Sequence, residues 1–392
     1  MDRPETLDLE QEPSPQQRGR GGQVLLALAG GLPTLGTLGG FLGSYWWPLD
    51  LLAAMRLQYV VVLGAVVVLA LLTRSWRAAL LFLAPLAINL AVMAPLYQHP
   101  DPKARDSAPP LPVQEDSFGS LRPTAPADDQ GVARKPVIAP LRILTFNARP
   151  NPRTVDAVLD YLRESPVDLI VFQDLQPEVL ATLEYQIAPF RIQIAEPRDG
   201  LFGLGVAERL YLQSGARIVE SRTLDLTTGR NTLKAIECRI QWMQQTVMLL
   251  AVRMVPPLSD EEADLHDRQI TAITQWARLQ EHPVIITGSM SATPWSATFR
   301  YLLSNTGLVN SQCGFGVQPT WPSSGGPLGQ IPIDHLLHSE SLVTIRRHLG
   351  PSLGTDHQSL EVALWWRQPP ELAPEASDSA TTEPAPATQP AP

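Results

Sequence analysis

The chain changes character twice along its length. Before position 98 apolar residues run almost unbroken. Between 141 and 367 they alternate or recur at helical spacing, and elsewhere they thin out. Three apolar stretches open the chain, Gln23–Gly43, Leu57–Thr73 and Ala78–Tyr97. A bilayer core takes about 20 apolar residues per helix, with ~17 as the lower limit. The run from Val60 to Leu72 leaves no polar face for a soluble helix to turn outward. The pattern therefore predicts three transmembrane helices over 23–97. In the first, Gly36, Gly39, Gly40 and Gly43 set small residues four apart, a spacing that lets helices approach closely. The leader 1–22 carries Glu5, Asp8, Glu10 and Glu12, unlike the basic start of a cleaved signal peptide, so an uncleaved anchor is expected. Arg18 and Arg20 before the first span, with Arg74 and Arg77 before the third, place those two sites in the cytoplasm. Tyr45, Trp46 and Trp47 then form an outer interfacial belt, and everything after Tyr97 lies on the extracytoplasmic face.

Residues 98–140 are rich in Pro, Ala, Asp and Ser without apolar periodicity, and the tail 368–392 is Pro, Ala, Glu and Thr. Both read as linker-like and disordered. The block 141–367 between them reads as one globular domain. Leu141–Asn147 is a strand, and Thr154–Glu164 puts Val155, Val158, Leu159 and Leu162 on one helical face. Val167–Asp174 is a buried-type strand, and β-like runs follow near 201–208, 216–226, 231–240 and 245–253. Asp260–Gln280 reads as a helix. Pro283–Gly288, Ile333–His338 and Gln358–Trp366 read as strands. Interleaved strands and helices without a Gly-rich phosphate loop predict an α/β sandwich rather than a nucleotide-binding fold.

The net charge of -9 argues against a generic nucleic-acid binder, which carries a basic face. Cys238 and Cys313 are the two cysteines of the chain, too few for a disulfide framework and without zinc-ligand spacing. Two buried thiols are expected, with one bridge as the alternative in an oxidising compartment.

Six short motifs in order narrow the chemistry: Ile143–Asn147, Asp168–Asp174, Val284–Trp295, Thr320–Pro322, Ile333–His335 and Gly354–His357. Together they resemble the endonuclease/exonuclease/phosphatase superfamily. With the three apolar stretches and linker, the layout is similar to a membrane-bound subgroup linked with cell-envelope antibiotic resistance. The resemblance implies a four-layer α/β sandwich, two face-to-face β-sheets flanked by helices, preceded here by three transmembrane helices. It also implies phosphoester hydrolysis with Mg²⁺ or Mn²⁺.

On this resemblance Asn147 matches a ligand-positioning Asn, and Asp174 stands at the metal-binding Glu position, one methylene shorter. Asp334 and His357 match an Asp–His pair in which the Asp orients the imidazole. Asp356 matches a second carboxylate near the metal. Two central positions depart from the pattern: Ser289 replaces the Asp that aligns the attacking water, and Ser291 replaces the Asn that contacts phosphate. Arg253 falls where the family has a His. Its guanidinium could bind phosphate bidentately; alternatively it is an exposed Arg paired with an acid among Asp260 to Glu262.

A hydroxyl is no base near neutral pH, and removing a positioned acid–base group costs ~10²–10⁴-fold in rate. The sequence thus leans toward a membrane-anchored phosphoesterase relative with impaired or lost hydrolysis and a retained phosphate pocket. On that reading metal binding is weakened or absent. An active Mg²⁺-dependent hydrolase of a lipid-linked or other envelope phosphate is the alternative, and a structural docking protein of the envelope the second. The expected partners are the bilayer and a phosphorylated lipid, with nucleic acid disfavoured.

Overall fold

The computed structural model describes residues 15–109, 139–149, 154–210, 214–229, 232–324 and 326–368. The chain opens with α1 (Pro15–Gly39), α2 (Trp47–Ala54), α3 (Arg56–Leu72), α4 (Trp76–Met93) and the short α5 (Pro102–Asp106). The domain follows as β1 (Leu141–Asn147), α6 (Thr154–Glu164), β2 (Leu169–Gln173), α7 (Pro177–Gln186), β3 (Phe190–Glu196), β4 (Leu204–Arg209), β5 (Arg217–Asp225), β6 (Lys234–Trp242) and β7 (Gln245–Arg253). It ends with α8 (Asp260–Arg278), β8 (Val284–Ser289), α9 (Ala297–Thr306), β9 (Val309–Asn310), β10 (Asp334–His338), β11 (Leu342–Leu349) and β12 (Leu360–Trp366).

Among the described residues twelve strands form two six-stranded sheets, ordered β11-β12-β1-β2-β4-β3 and β5-β6-β7-β8-β10-β9. Each sheet has the same plan: one central parallel pair, β1–β2 or β7–β8, with antiparallel neighbours on both sides. A helix joins each parallel pair, α6 in one sheet and α8 in the other, as parallel strands require. The period-2 pattern sorts side chains between layers. From β1, Leu141 and Ile143 enter the core between the sheets with Leu249, Ile285 and Leu336 of the second sheet. Leu144 and Phe146 point the other way, into a core with α6 and α7. The outer face of the second sheet packs on α8 and α9 through Ile270, Ile273 and Phe299. The result is the expected four-layer sandwich.

The N-terminal helices correct the expectation of three continuous spans. Among the described residues one helical run, Trp76–Asp106, is long and apolar enough to cross a membrane. The second stretch, Leu57–Thr73, coincides with α3, which meets the preceding α2 at a 60° bend; the two qualify only if the bent pair counts as one span. The apolar part of the first, Leu26–Leu42, is shorter, at 17 residues. Such a length rises about 26 Å, at the lower limit for crossing a ~30 Å hydrocarbon core. Trp46 is extended and Pro48 lies in the first turn of α2, which starts that helix, and Met55 leaves helical geometry at the bend. The glycines just past α1 pack on α2: a Cβ on Gly40 would lie 3.0 Å from the Ala53 backbone, and one on Gly43 2.8 Å from Asp50 Cα.

These helices are docked on the domain. Asp50 Oδ1 accepts from the Ala297 amide at 2.7 Å, so a carboxylate from α2 caps the N-terminus of α9. Trp47 Nε1 donates to Asp260 Oδ1 at 2.6 Å. Gln58 donates to the Gln330 carbonyl at 3.1 Å, and the Leu96 carbonyl accepts from Gly314 and Gly316. Ala53, Met93 and Leu96 share an apolar cluster with Trp295. Residues 98–109, expected as linker, include α5, whose Ala104 joins the main core. His99 meets the Thr344 carbonyl at 2.8 Å, and Asp101 pairs with Arg367 at 3.2 Å. The rest of the expected linker, 110–138, and the tail from 369 lie outside the described residues. Both cysteines are free thiols, Cys238 buried and Cys313 half-buried.

Candidate active site

The parallel pairs of both sheets end at one point, and the motif residues meet there. Asn147 closes β1, Gln173 closes β2 beside it, and Asp174 follows in a left-handed turn (φ 50°) that Asp tolerates better than most residues. In the second sheet Arg253 ends β7 opposite Ser289 at the end of β8, and Asp334 begins β10 opposite Ser289 on its other side. The sheets are joined here by Gln173, whose Oε1 accepts from the Ser289 amide at 3.0 Å. Gly288 allows that approach: with φ 143°, a Cβ there would sit 1.9 Å from the Val252 carbonyl oxygen.

Asp174 is the hub. Its Oδ2 accepts from Asn147 Nδ2 at 2.8 Å, and its Oδ1 accepts from Arg253 Nε at 2.9 Å and the Phe202 amide at 2.8 Å. The side chains of Arg253 and Asp174 are 8% and 1% exposed, so this is a buried ion pair. The reading of Arg253 as an exposed residue paired with Asp260 to Glu262 is thereby overturned. Its backbone is held from α8 by Gln269, which donates to the Arg253 carbonyl at 3.3 Å and accepts from Val255 at 2.9 Å. Arg253 Nη1 donates to Met254 O at 2.8 Å and to Ser291 Oγ at 3.3 Å, and the guanidinium lies 5.4 Å from the Phe202 ring centre.

Asp334 and His357 form the expected dyad, Nδ1 to Oδ2 at 2.8 Å, both buried. Thr320 Oγ1 accepts from the Asp334 amide at 3.2 Å. Burial alone would push the Asp334 carboxyl up, but the charge and hydrogen bond of His357 hold it at about 2. Burial alone would lower the His357 imidazole; the Asp334 charge and hydrogen bond outweigh it and raise the imidazole above its ordinary value. A raised folded-state value adds stability below the unfolded value of 6.5 and loses it as pH climbs through the raised one. The depressed Asp334 adds stability above 3.8 and loses it as pH falls through about 2. The thermal-midpoint difference between the protein and a His357→Gln variant is therefore expected to be widest between about pH 4 and 6.5. A gap that widens steadily above that window would reverse the assignment.

The remaining positions are looser. Asp356 pairs with Arg149 at 3.3 Å at a half-exposed rim, where Trp321 Nε1 also reaches it at 3.3 Å. Ser289 is fully buried, and its hydroxyl has no partner. Gln173 Nε2 and Asp334 Oδ1 are likewise buried without partners. Ser291, at φ 51°, donates to Met254 O at 3.0 Å. His335, beside Asp334 in sequence, faces away: it meets the Ala292 carbonyl at 2.8 Å, and burial holds it at about 4, neutral and structural. Arg149 and the Phe202 amide were missed from sequence. Arg149 sits two residues past the Asn147 motif, a usable signal; a backbone amide leaves none.

Residues 143–357 match the endonuclease/exonuclease/phosphatase family. The chain belongs to that family. Its fold is similar to an endonuclease/exonuclease/phosphatase from Bacteroides vulgatus, at 15% identity and a TM-score of 0.48, covering 58% of this chain and 99% of that one. It is also similar to a 3′ phosphatase from Neisseria bound to a product DNA hairpin, at 17% identity, TM-score 0.47 and coverage of 58% and 100%. A mannosyl-6-phosphatase from Bacteroides thetaiotaomicron aligns at 13% identity, TM-score 0.46 and coverage of 58% and 100%. No curated protein matches the chain.

Divalent metals are general in this family, and Mg²⁺ asks for free oxygen ligands. The residues here do not fit one. Asp174 already accepts three hydrogen bonds, one from a buried guanidinium. Among the described residues no group of three or more His, Cys, Asp or Glu is placed to hold a metal ion. What remains at the strand ends is two buried pairs, Arg253 with Asp174 and His357 with Asp334, beside unpaired polar atoms of Ser289, Gln173 and Asp334.

Proposed function

We propose that the protein is a membrane-anchored member of the family whose hydrolytic step is impaired or lost and whose pocket still holds a phosphoanion. One observation carries this reading. Ser289 sits buried and unpaired between Gln173 and Asp334, where the family places the water-aligning Asp, while the Asp334–His357 dyad beside it is intact. The proposed roles follow: His357 and Arg253 meet the anion, Asp334 orients His357, and Asn147 orients Asp174. Asp356 serves the rim.

The intact dyad also favours a second reading, an active hydrolase of a lipid-linked or other envelope phosphate. Purified full-length protein in detergent, assayed on lipid-linked and soluble phosphoesters with Mg²⁺ or Mn²⁺, separates the two. The expected outcome is no turnover in the native chain, and turnover only when Ser289→Asp and Ser291→Asn are combined with Arg253→His, which frees Asp174. Native turnover abolished by His357→Ala would instead establish the hydrolase. Neither turnover nor phosphate binding in either protein would leave a structural docking role.

We further propose that the N-terminal helices anchor the protein in the bilayer and leave the domain on the extracytoplasmic face, with a phosphorylated lipid as partner. Trp47, Gln58 and Leu96 all meet the domain from the ends of these helices, which supports one shared side. Reporter fusions after Asp101 and after Pro392 test this. Cytoplasmic readout at either would overturn it.

A further inference from the structure

We propose that the Arg253 guanidinium occupies the seat that a divalent cation takes in this family, making the pocket a metal-independent receptor for a phosphate monoester. This rests on the phosphate-pocket reading above and says what supplies its positive charge. The acidic position matched to the metal ligand is Asp174, and every described bond to its two oxygens is accounted for by Asn147, Phe202 and Arg253. A cation at Asp174 would have to displace a guanidinium held at 2.9 Å in a buried pair.

Arg253 is fixed on all sides as a permanent part of the wall. Gln269 holds its backbone, Met254 O and Ser291 Oγ hold Nη1, and the Phe202 ring lies beside the plane. Nε and Nη1 carry the described bonds, which leaves Nη2 as the donor for an incoming anion. Guanidinium keeps its charge at every accessible pH and pairs with phosphate oxygens directionally. The Ser at 291 belongs to the same change: its hydroxyl donates to Met254 O and accepts from Arg253, tying the guanidinium in place.

The test uses the full-length protein in detergent, with Mn²⁺ and inorganic phosphate as separate probes. The native chain is expected to leave Mn²⁺ free in its paramagnetic resonance spectrum, and to bind phosphate with the same Kd in EDTA and in excess Mg²⁺. Arg253→Met is expected to weaken phosphate binding at least about tenfold and to create an Mn²⁺ site that Asp174→Asn then abolishes. Arg253→Lys, which keeps the charge and is milder on folding, is expected to retain phosphate binding without metal. Competition by phosphatidic acid in nanodiscs tells a lipid headgroup from a free phosphate; either occupant satisfies the inference. Mn²⁺ bound by the native chain through Asp174 overturns the inference while leaving the phosphate pocket standing. A native chain that binds neither probe sinks both readings.

Discussion

Replacing Asp174 with Ala is expected to lower the thermal midpoint of the full-length protein on the order of 10 °C. The substitution strands a buried guanidinium and leaves Asn147 Nδ2 and the Phe202 amide without their acceptor. Breaking a buried ion pair from one side costs about 3–5 kcal/mol, because the surviving charge stays desolvated. The double variant Asp174→Ala with Arg253→Met is expected to recover most of the loss, since both charges are then gone. Tryptophan fluorescence on heating reads both. A single variant that melts with the native protein would mean that the pair is relaxed in solution and that Asp174 is not the hub.

Gly288→Ala is expected to be comparably severe, at about 3 kcal/mol or more. The methyl group would meet the Val252 carbonyl at 1.9 Å, and φ 143° is open to Gly almost alone. The two central strands of the second sheet would be forced apart at their ends, moving Ser289 away from Gln173 and Arg253 away from Asp174. Phosphate binding should therefore fall with stability, though Gly288 carries no side chain to touch a ligand. A Gly288→Ala protein with unchanged binding and melting would show that strand end to be more pliable than its geometry implies.

Much of the domain was legible in the sequence because its elements are local and periodic. β1, β7 and α6 begin and end where the apolar pattern places them, and α8, β8 and β12 differ by one or two residues. What escaped is what periodicity cannot carry. β3 is mostly half-exposed, β9 is two residues long, and α7 and α9 are ten residues each. α2 lies between the first and second apolar stretches, where no element was expected. The site residues were legible through motifs, but their partners were not. Arg253 was read against acids a few residues downstream; its partner is 79 residues upstream, reached only because two sheets end at one place. A metal role for Asp174 was inferred from type and position alone, and the competing guanidinium shows only in three dimensions.

The docking of the N-terminal helices bears on how the domain can be handled. Cut away at residue 98, it would bare Trp295 and the half-buried Cys313 and Val317, all now covered from Ala53, Met93 and Leu96. α9 would lose the carboxylate that caps it, and the Gly314–Gly316 segment its shared acceptor. A fragment trimmed to the family match alone would thus carry a raw apolar scar beside the segment leading to Trp321 and the pocket rim. Self-association of that fragment would report the missing anchor, and silence from it in an assay would say little about the intact protein.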